Sequence, residues 1–172
     1  MCKNLEHKTF VDIIYIDCEN AFDKVNIGRL LDKLIYIKCF DYIVNWLYYF
    51  VVGRTKRVCV RNTLSDCLPV RSGVPRGCAI SPLLFIIYVN DIFNLPLSSK
   101  LKLFADDSKL YNLSENSQIL QNDLYQLHEW FKNNFLTINI TKTFVVRFGG
   151  CNGSADYGIG GVALRHVDDV KD

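Results

Sequence analysis

Residues 100–113 read KLKLFADDSKLYNL. Two strand-like runs, 100–104 and 108–113, flank a short turn at 105–107, the pattern of a β-hairpin. Upstream, residues 10–16 (FVDIIYI) are a β-branched and aromatic run suited to a central strand, and that run closes on Asp17. Downstream, Ser114 opens a long helical pattern. Its Leu120, Leu124, Leu127, Phe131 and Phe135 fall at i, i+4, i+7, i+11 and i+15, one apolar face. Residues 143–148 then read as a further strand. Strands and helices are mixed without strict βαβ alternation, so the fold class is α+β, not a doubly wound sheet.

The segment between the first strand and the hairpin is helical at both ends. Asn26 can cap a helix running to about Lys38, with Leu30, Leu31, Leu34, Ile35 and Ile37 at helical spacing. Asp41 can cap a second, mostly buried helix ending at Gly53. Residues 55–61 alternate, with Val58 and Val60 on one side, and Asn62–Thr63 fits a turn into a strand near 68–70. Residues 71–82, RSGVPRGCAISP, form a loop punctuated by glycine and proline. A helix follows from about Pro82 to Phe93. After Gly149 the chain becomes glycine-rich, with short strand-like pieces around 157–159 and 162–164.

The 172 residues are 49% hydrophobic and 22% charged, enough for one domain with a real core and unlike a disordered or low-complexity chain. A net charge of +2 is too small for a body that binds nucleic acid non-specifically. Cations are nonetheless concentrated: Arg54, Lys56, Arg57, Arg61, Arg71 and Arg76 face the single acid Asp66 across residues 53–76. The basic stretch 54–61 fits phosphate contacts or a solvated strand face. Cys2, Cys18, Cys39, Cys59, Cys67, Cys78 and Cys151 are odd in number and spell neither a zinc knuckle nor a CxxC pair. They read as buried thiols of an intracellular protein. Lys3, Glu6, His7 and Lys8 do not make a signal peptide. The longest apolar runs, 46–52 and 83–89, are seven residues each, far short of the ~20 that span a bilayer.

Asp17 and the Asp106–Asp107 pair stand at the ends of apolar strands. A charge beside a sheet core costs free energy unless it is paired or binds a cation. Carboxylates converging from separate strands suit Mg²⁺, a hard ion that takes oxygen ligands and substrate phosphates. The same Asp-Asp pair serves equally as favourable turn chemistry, and Asp17 as an ordinary strand-end acceptor.

Four stretches in order tip this balance. IDCENAFDKV, SGVPRGCAISPLLFIIYVNDI, LFADD and LTINITKT resemble the successive palm motifs of reverse transcriptases from non-LTR (LINE-like, jockey-type) retrotransposons. The resemblance covers roughly residues 10–149, and YGIGGVALRHVDDVKD is more weakly similar to the connection toward the thumb. It implies a right-hand polymerase palm, an antiparallel sheet with helices on one face. Residues 1–149 would be a partial palm and 150–172 the connection, with fingers and thumb largely missing.

The resemblance also assigns roles. Asp17 and Asp106 would hold two Mg²⁺ ions (Mn²⁺ a possible substitute), with Asp107 a less directly bound neighbour and the Cys18 carbonyl a backbone ligand. Lys142 would protonate departing pyrophosphate. Phe22 matches the steric gate that excludes a ribose 2′-hydroxyl, although a core phenylalanine is its plain alternative. Arg76 and Gly77 would lie against the incoming nucleotide. The family usually has glutamine where this chain has Arg76, and arginine cannot accept a hydrogen bond as an amide can. Arg76→Gln in a complete enzyme is therefore expected to improve primer extension, and no gain or a loss counts against that role. Asp23, Asn90, Asp91 and Asn139 read as caps and turn formers. The implied partners are an RNA or DNA template with primer and deoxynucleoside triphosphates, with no membrane, while the oligomeric state stays open. Two readings follow: the palm of an RNA-directed DNA polymerase, or a truncated, catalytically inactive remnant that at most binds nucleic acid. An RNA-making polymerase fits less well, because Phe22 would obstruct ribonucleotides.

Overall fold

The apolar run that closes on Asp17 becomes strand β1 (Val11–Ile16), the middle strand of a five-stranded sheet. In chain order there follow α1 (Ala21–Lys24), α2 (Ile27–Tyr36), α3 (Asp41–Val51), β2 (Thr55–Lys56), β3 (Cys59–Val60), β4 (Thr63–Leu64) and β5 (Leu68–Pro69). Then come α4 (Ser81–Val89), a 3-10 turn (Asn90–Asn94), β6 (Lys100–Phe104), β7 (Asp107–Asn112) and α5 (Ser117–Asn133). The last elements are β8 (Phe144–Phe148), β9 (Gly158–Ile159), β10 (Val162–Ala163) and β11 (Arg165–His166). The computed structural model describes residues 11–112, 117–149 and 155–167. The expected start of the first strand at Phe10, its hairpin partner's end at Leu113 and the helix start at Ser114 lie outside the described residues, as do Cys2, Cys151 and residues 168–172. The chain forms two units, Met1–Glu19 with Ile92–Asp172 and Asn20–Asp91.

The first unit holds the sheet, in the order β11-β8-β1-β7-β6. Its pairs are antiparallel except the edge strand β11, which runs parallel to β8. Strand alternation sends Asp12, Ile14 and Ile16 to one face and Ile13, Tyr15 and then Asp17 toward the other. Helix α5 lies against β7 and β9 and buries Leu120, Leu124, Leu127, Trp130 and Phe131. The expected fifth member of its face, Phe135, is instead exposed. The helix ends at Asn133, Phe135 takes a left-handed φ of 57°, and the reversal inserts Leu136 in its place.

Two buried carboxylates tie this unit together. Asp12 accepts from Arg147 Nε and Nη2, both at 2.6 Å, and from the Tyr157 hydroxyl at 2.7 Å. Asp123 accepts the Ser99 backbone N–H at 2.6 Å and that of Ser98 at 3.3 Å, satisfying the chain just before β6.

In the second unit, Asn26 caps α2 as expected, its Oδ1 accepting from Arg29 N–H at 3.0 Å. Helix α2 packs on α3 and α4. The cap and burial expected for α3 need correction. Phe40 occupies the cap position with no side-chain bond, and Asp41 is already in the first turn. Leu47 and Val51 are buried, while Tyr42, Trp46 and Tyr49, at i, i+4 and i+7, are exposed. The helix is apolar on every side but that of Asp41 and Asn45, and packing on α2 covers one stripe of it.

Residues 55–70 form two small ladders, β2 with β5 and β3 with β4. The tight turn is Arg61–Asn62, both at positive φ, one residue earlier than the sequence pattern indicated. No second layer covers these ladders within the unit, so Val58 and Val60 are exposed, and so are Cys59 and Cys67. The expectation of buried thiols therefore holds for Cys18 and fails for these two. Arg54 also departs from the expected phosphate-facing row. It turns inward, donating from Nε to the Val51 carbonyl at 2.8 Å and from Nη2 to that of Gly73.

Candidate active site

Asp17 follows β1 directly, and Asp107 opens β7 after a turn in which Ala105 takes a left-handed φ of 54°. The ladder pairs Ile16 with Ser108, so one further step sets Asp17 across from Asp107, on the face of Tyr15 and Lys109. Both aspartates line a cavity of about 420 Å³, together with Lys142. Burial, then the neighbouring charges of Asp106 and Asp17, push the Asp107 carboxyl above its ordinary range, against the pull of Lys109 and Lys142.

The segment LTINITKT folds around Asp17. Asn139 N–H donates to the Asp17 carbonyl at 2.8 Å, Glu19 N–H donates to the Thr137 carbonyl at 2.9 Å, and Cys18 bridges Ile138. The buried Thr143 hydroxyl donates to the Asn139 carbonyl at 2.8 Å and accepts from Asp17 N–H at 3.4 Å. These bonds fix the backbone on both sides of the carboxylate and deliver Lys142, whose Nζ stands 3.9 Å from Asp17 Oδ2. Lys142 is 69% exposed, so the pair adds little stability. Asn139 is the turn former expected of it, its Oδ1 accepting from the Thr141 hydroxyl. Thr143 was invisible as a site residue, because a strand-entry threonine carries no signal of what its hydroxyl will reach.

Of the residues singled out from sequence, Asp17, Asp107 and Lys142 come together on one cavity. Asp106 sits half-buried in the turn beside them and is not among the cavity's lining residues. Among the described residues no three His, Cys, Asp or Glu side chains form a ready-made metal cluster. The donor chemistry still suits a hard divalent ion. Two carboxylates face one cavity, their repulsion favours a cation between them, and substrate phosphates commonly complete such a shell.

Phe22, Arg76 and Gly77 belong to the second unit. Phe22 is half-buried and stacks on Phe85 at 4.8 Å between centroids. Its backbone carbonyl accepts from Val74 N–H at 2.9 Å, and Val25 accepts from Gly73 N–H at 2.8 Å. A Cβ on Gly73 would stand 2.7 Å from Asp23 Cα, so only glycine allows the loop to lie this close to α1. Gly77 is exposed at positive φ, and a Cβ there would meet nothing within 4 Å. Arg76 donates from Nε and Nη2 to the two carboxylate oxygens of Asp23, at 3.1 and 2.6 Å. Asp23 is thus an ion-pair partner as well as a turn residue. Asp91 likewise does more than form a turn. It accepts from Lys33 Nζ at 2.8 Å, and burial lowers the pKa of that lysine.

The family model for "Reverse transcriptase (RNA-dependent DNA polymerase)" matches residues 2–164. The chain belongs to the reverse transcriptase family. Its relatives include the probable RNA-directed DNA polymerase from transposon BS of Drosophila melanogaster, 30% identical over 149 residues. That match covers 80% of this chain and 16% of the relative. The RNA-directed DNA polymerase from mobile element jockey, of the same organism, is 27% identical over 185 residues, covering 97% and 19%. The chain therefore spans less than a fifth of these curated relatives. Among solved structures, telomerase of Candida tropicalis, in complex with a TWJ fragment of telomeric RNA, superposes with TM-score 0.67 at 15% identity. It covers 93% of this chain and 30% of that one. The Candida albicans telomerase gives 0.64 at 14%, covering 89% and 29%. The jockey-type, non-LTR resemblance and the α+β palm-like fold are both borne out.

Proposed function

We propose that this chain is palm of an RNA-directed DNA polymerase, adding deoxynucleotides to a primer 3′-hydroxyl on an RNA or DNA template. The supporting observation is the meeting of Asp17 and Asp107 on one cavity with Lys142 Nζ 3.9 Å from Asp17. Asp17, Asp107, the adjacent Asp106 and the Cys18 carbonyl would hold two divalent ions, Mg²⁺ by donor hardness and Mn²⁺ in its place. Held by these residues, such ions would supply a lowered pKa at the primer hydroxyl and charge neutralisation at the triphosphate. The chain's own groups do the rest. The backbone clamp of residues 137–143 holds Asp17 in place, and the exposed Lys142 ammonium supplies a proton to departing pyrophosphate. Phe22, stacked on Phe85, would be the steric gate against a ribose 2′-hydroxyl, and Arg76 and Gly77 would lie against the incoming nucleotide. Residues 1–149 carry this palm and 150–172 lead out of it.

Primer extension with the chain, on RNA and DNA templates with Mg²⁺ or Mn²⁺, tests the reading. Deoxynucleotides should be incorporated in preference to ribonucleotides. Phe22→Val should raise ribonucleotide incorporation roughly tenfold or more, the scale on which pocket shape discriminates. A specific observation favours the competing, inert reading: Arg76 is already engaged by Asp23. Absence of extension with either ion on either template would leave that second reading standing.

A further inference from the structure

Helix α3 carries a second apolar stripe besides the one that packs on α2. Leu47 and Val51 are buried, whereas Tyr42, Trp46 and Tyr49, at i, i+4 and i+7, form a ridge on the other side that is 54–78% exposed. The ring of Phe40 stacks on that of Tyr42 at 5.6 Å between centroids, and Phe50 stacks on Trp46 at 5.4 Å. Tyr48 meets Tyr49 edge-on at 5.3 Å. Each ring of the ridge thus leans on a neighbour, which holds it ready for contact at little further cost in side-chain entropy. No charged side chain occurs in residues 42–53, so a polyanion would find no cation to pair with here. The ridge suits an apolar protein surface, and Tyr and Trp are the residues on which such contacts most often depend.

We infer that this ridge is a self-association surface, on which two copies of the chain pack α3 against α3 about a two-fold axis. The order of the rings selects the partner. Tyr42, Trp46 and Tyr49 read the same from either end, and Trp46 is the central residue of Asp41–Val51. A two-fold axis beside Trp46 runs the helices antiparallel, sets Tyr42 against the partner's Tyr49 and brings Trp46 to the partner's Trp46. Such a contact turns a patch onto its own image, and a neutral patch does not repel its image. Antiparallel packing also opposes the two helix dipoles. The area agrees with a second copy. Phe40, Tyr42, Trp46 and Tyr49 are each more than half exposed, and at roughly 150–250 Å² per aromatic side chain they offer about 500 Å² per copy. A total of about 1,000 Å² meets the lower bound for a specific interface and sets the expected Kd on the order of 10 μM. The ridge belongs wholly to the unit Asn20–Asp91, and its association requires nothing of the polymerase reading.

Sedimentation equilibrium of the whole chain, from about 1 to 200 μM so as to bracket that constant, should give a monomer–dimer equilibrium and nothing larger. Trp46→Glu sets two carboxylates together at the axis and should weaken association at least about tenfold. Its outward position should leave the thermal unfolding midpoint almost unchanged, so that a loss of dimer is not a loss of fold. A charge exchange tests the antiparallel pairing. Tyr42→Lys with Tyr49→Lys should be monomeric, because each introduced ammonium faces another, and so should Tyr42→Glu with Tyr49→Glu. Mixed in equal amounts, these two double variants should form a dimer of one copy of each, whose affinity falls as salt is added. A wild type that stays monomeric at the top of the range overturns the surface, as does open-ended association growing past two copies. Trp46→Glu or either double variant associating as the wild type does overturns it too, and so does a mixture that remains monomeric. A chain that fails to extend primers but shows the expected pattern keeps the surface and loses only the polymerase reading.

Discussion

Asp17→Asn is expected to lower nucleotide addition by about 10³-fold or more, the scale of removing a group that stabilises charge developing in the transition state. The substitution keeps the shape of the side chain, and Asn can still accept hydrogen bonds. The bonds that order this segment run through the backbone, from Asn139 N–H to the Asp17 carbonyl and from Asp17 N–H to Thr143. These survive the change, so the free energy of unfolding should move by no more than the ~0.5 kcal/mol typical of a tolerated substitution. What disappears is one of two carboxylates facing the cavity, and with it the charge density that a divalent ion requires. A second readout is independent of turnover. Asp17 is one of the charges that raise the Asp107 carboxyl, so that carboxyl should titrate lower in the variant, by NMR. Primer-extension rates within tenfold of wild type, with the fold intact, would remove Asp17 from the chemistry.

What could be read from the sequence follows how locally each feature is encoded. Strand β1 was legible because six of the seven residues 10–16 are β-branched or aromatic, and the hairpin because its turn chemistry lies between two strand-like runs. Asn26 was legible because a cap acts within three residues. Helix α3 misled because an apolar sequence tells how much surface a helix has to bury, not how much its neighbours cover, and Tyr42, Trp46 and Tyr49 stay exposed. Phe135 misled because periodicity cannot see where a helix stops, and the chain reverses after Asn133. At the site, the carboxylates and Lys142 were found through motif spacing. The bidentate pairing of Arg76 with Asp23 was not, because it joins residues 53 positions apart.

The Asp12 cluster is the extreme case, and it sets the second large expectation. Asp12 interrupts FVDIIYI with a charge that is 3% exposed in the middle strand, and its partners lie 135 and 145 residues away. Asp12→Ala should destabilise the chain by about 3 kcal/mol, the lower part of the range for breaking a buried ion pair. The lower part applies because the Arg147 side chain is 16% exposed and water can reach it once the carboxylate is gone. Tyr157→Phe removes a single bond to the same oxygen and should cost about 1 kcal/mol. The sign with pH is also fixed. Burial and the Asp12 carboxylate raise the Tyr157 hydroxyl above its ordinary value of 10. Its contribution is therefore complete below that value and is lost as the pH rises beyond it. Urea unfolding across the series, followed at neutral and alkaline pH, measures all three. The decisive comparison is Asp12→Leu with Arg147→Met: filling the space with apolar groups should recover most of the loss, since it strands no buried charge. A cost below about 1 kcal/mol for Asp12→Ala would mean the cluster is not holding β1 to β8 and the Tyr157 segment. Because β1 runs from Asp12 directly to Asp17, the same cluster bears on catalysis. A double apolar variant that regains stability but not nucleotide addition would show that the bonds at Asp12 set the position of Asp17, and not merely the fold around it.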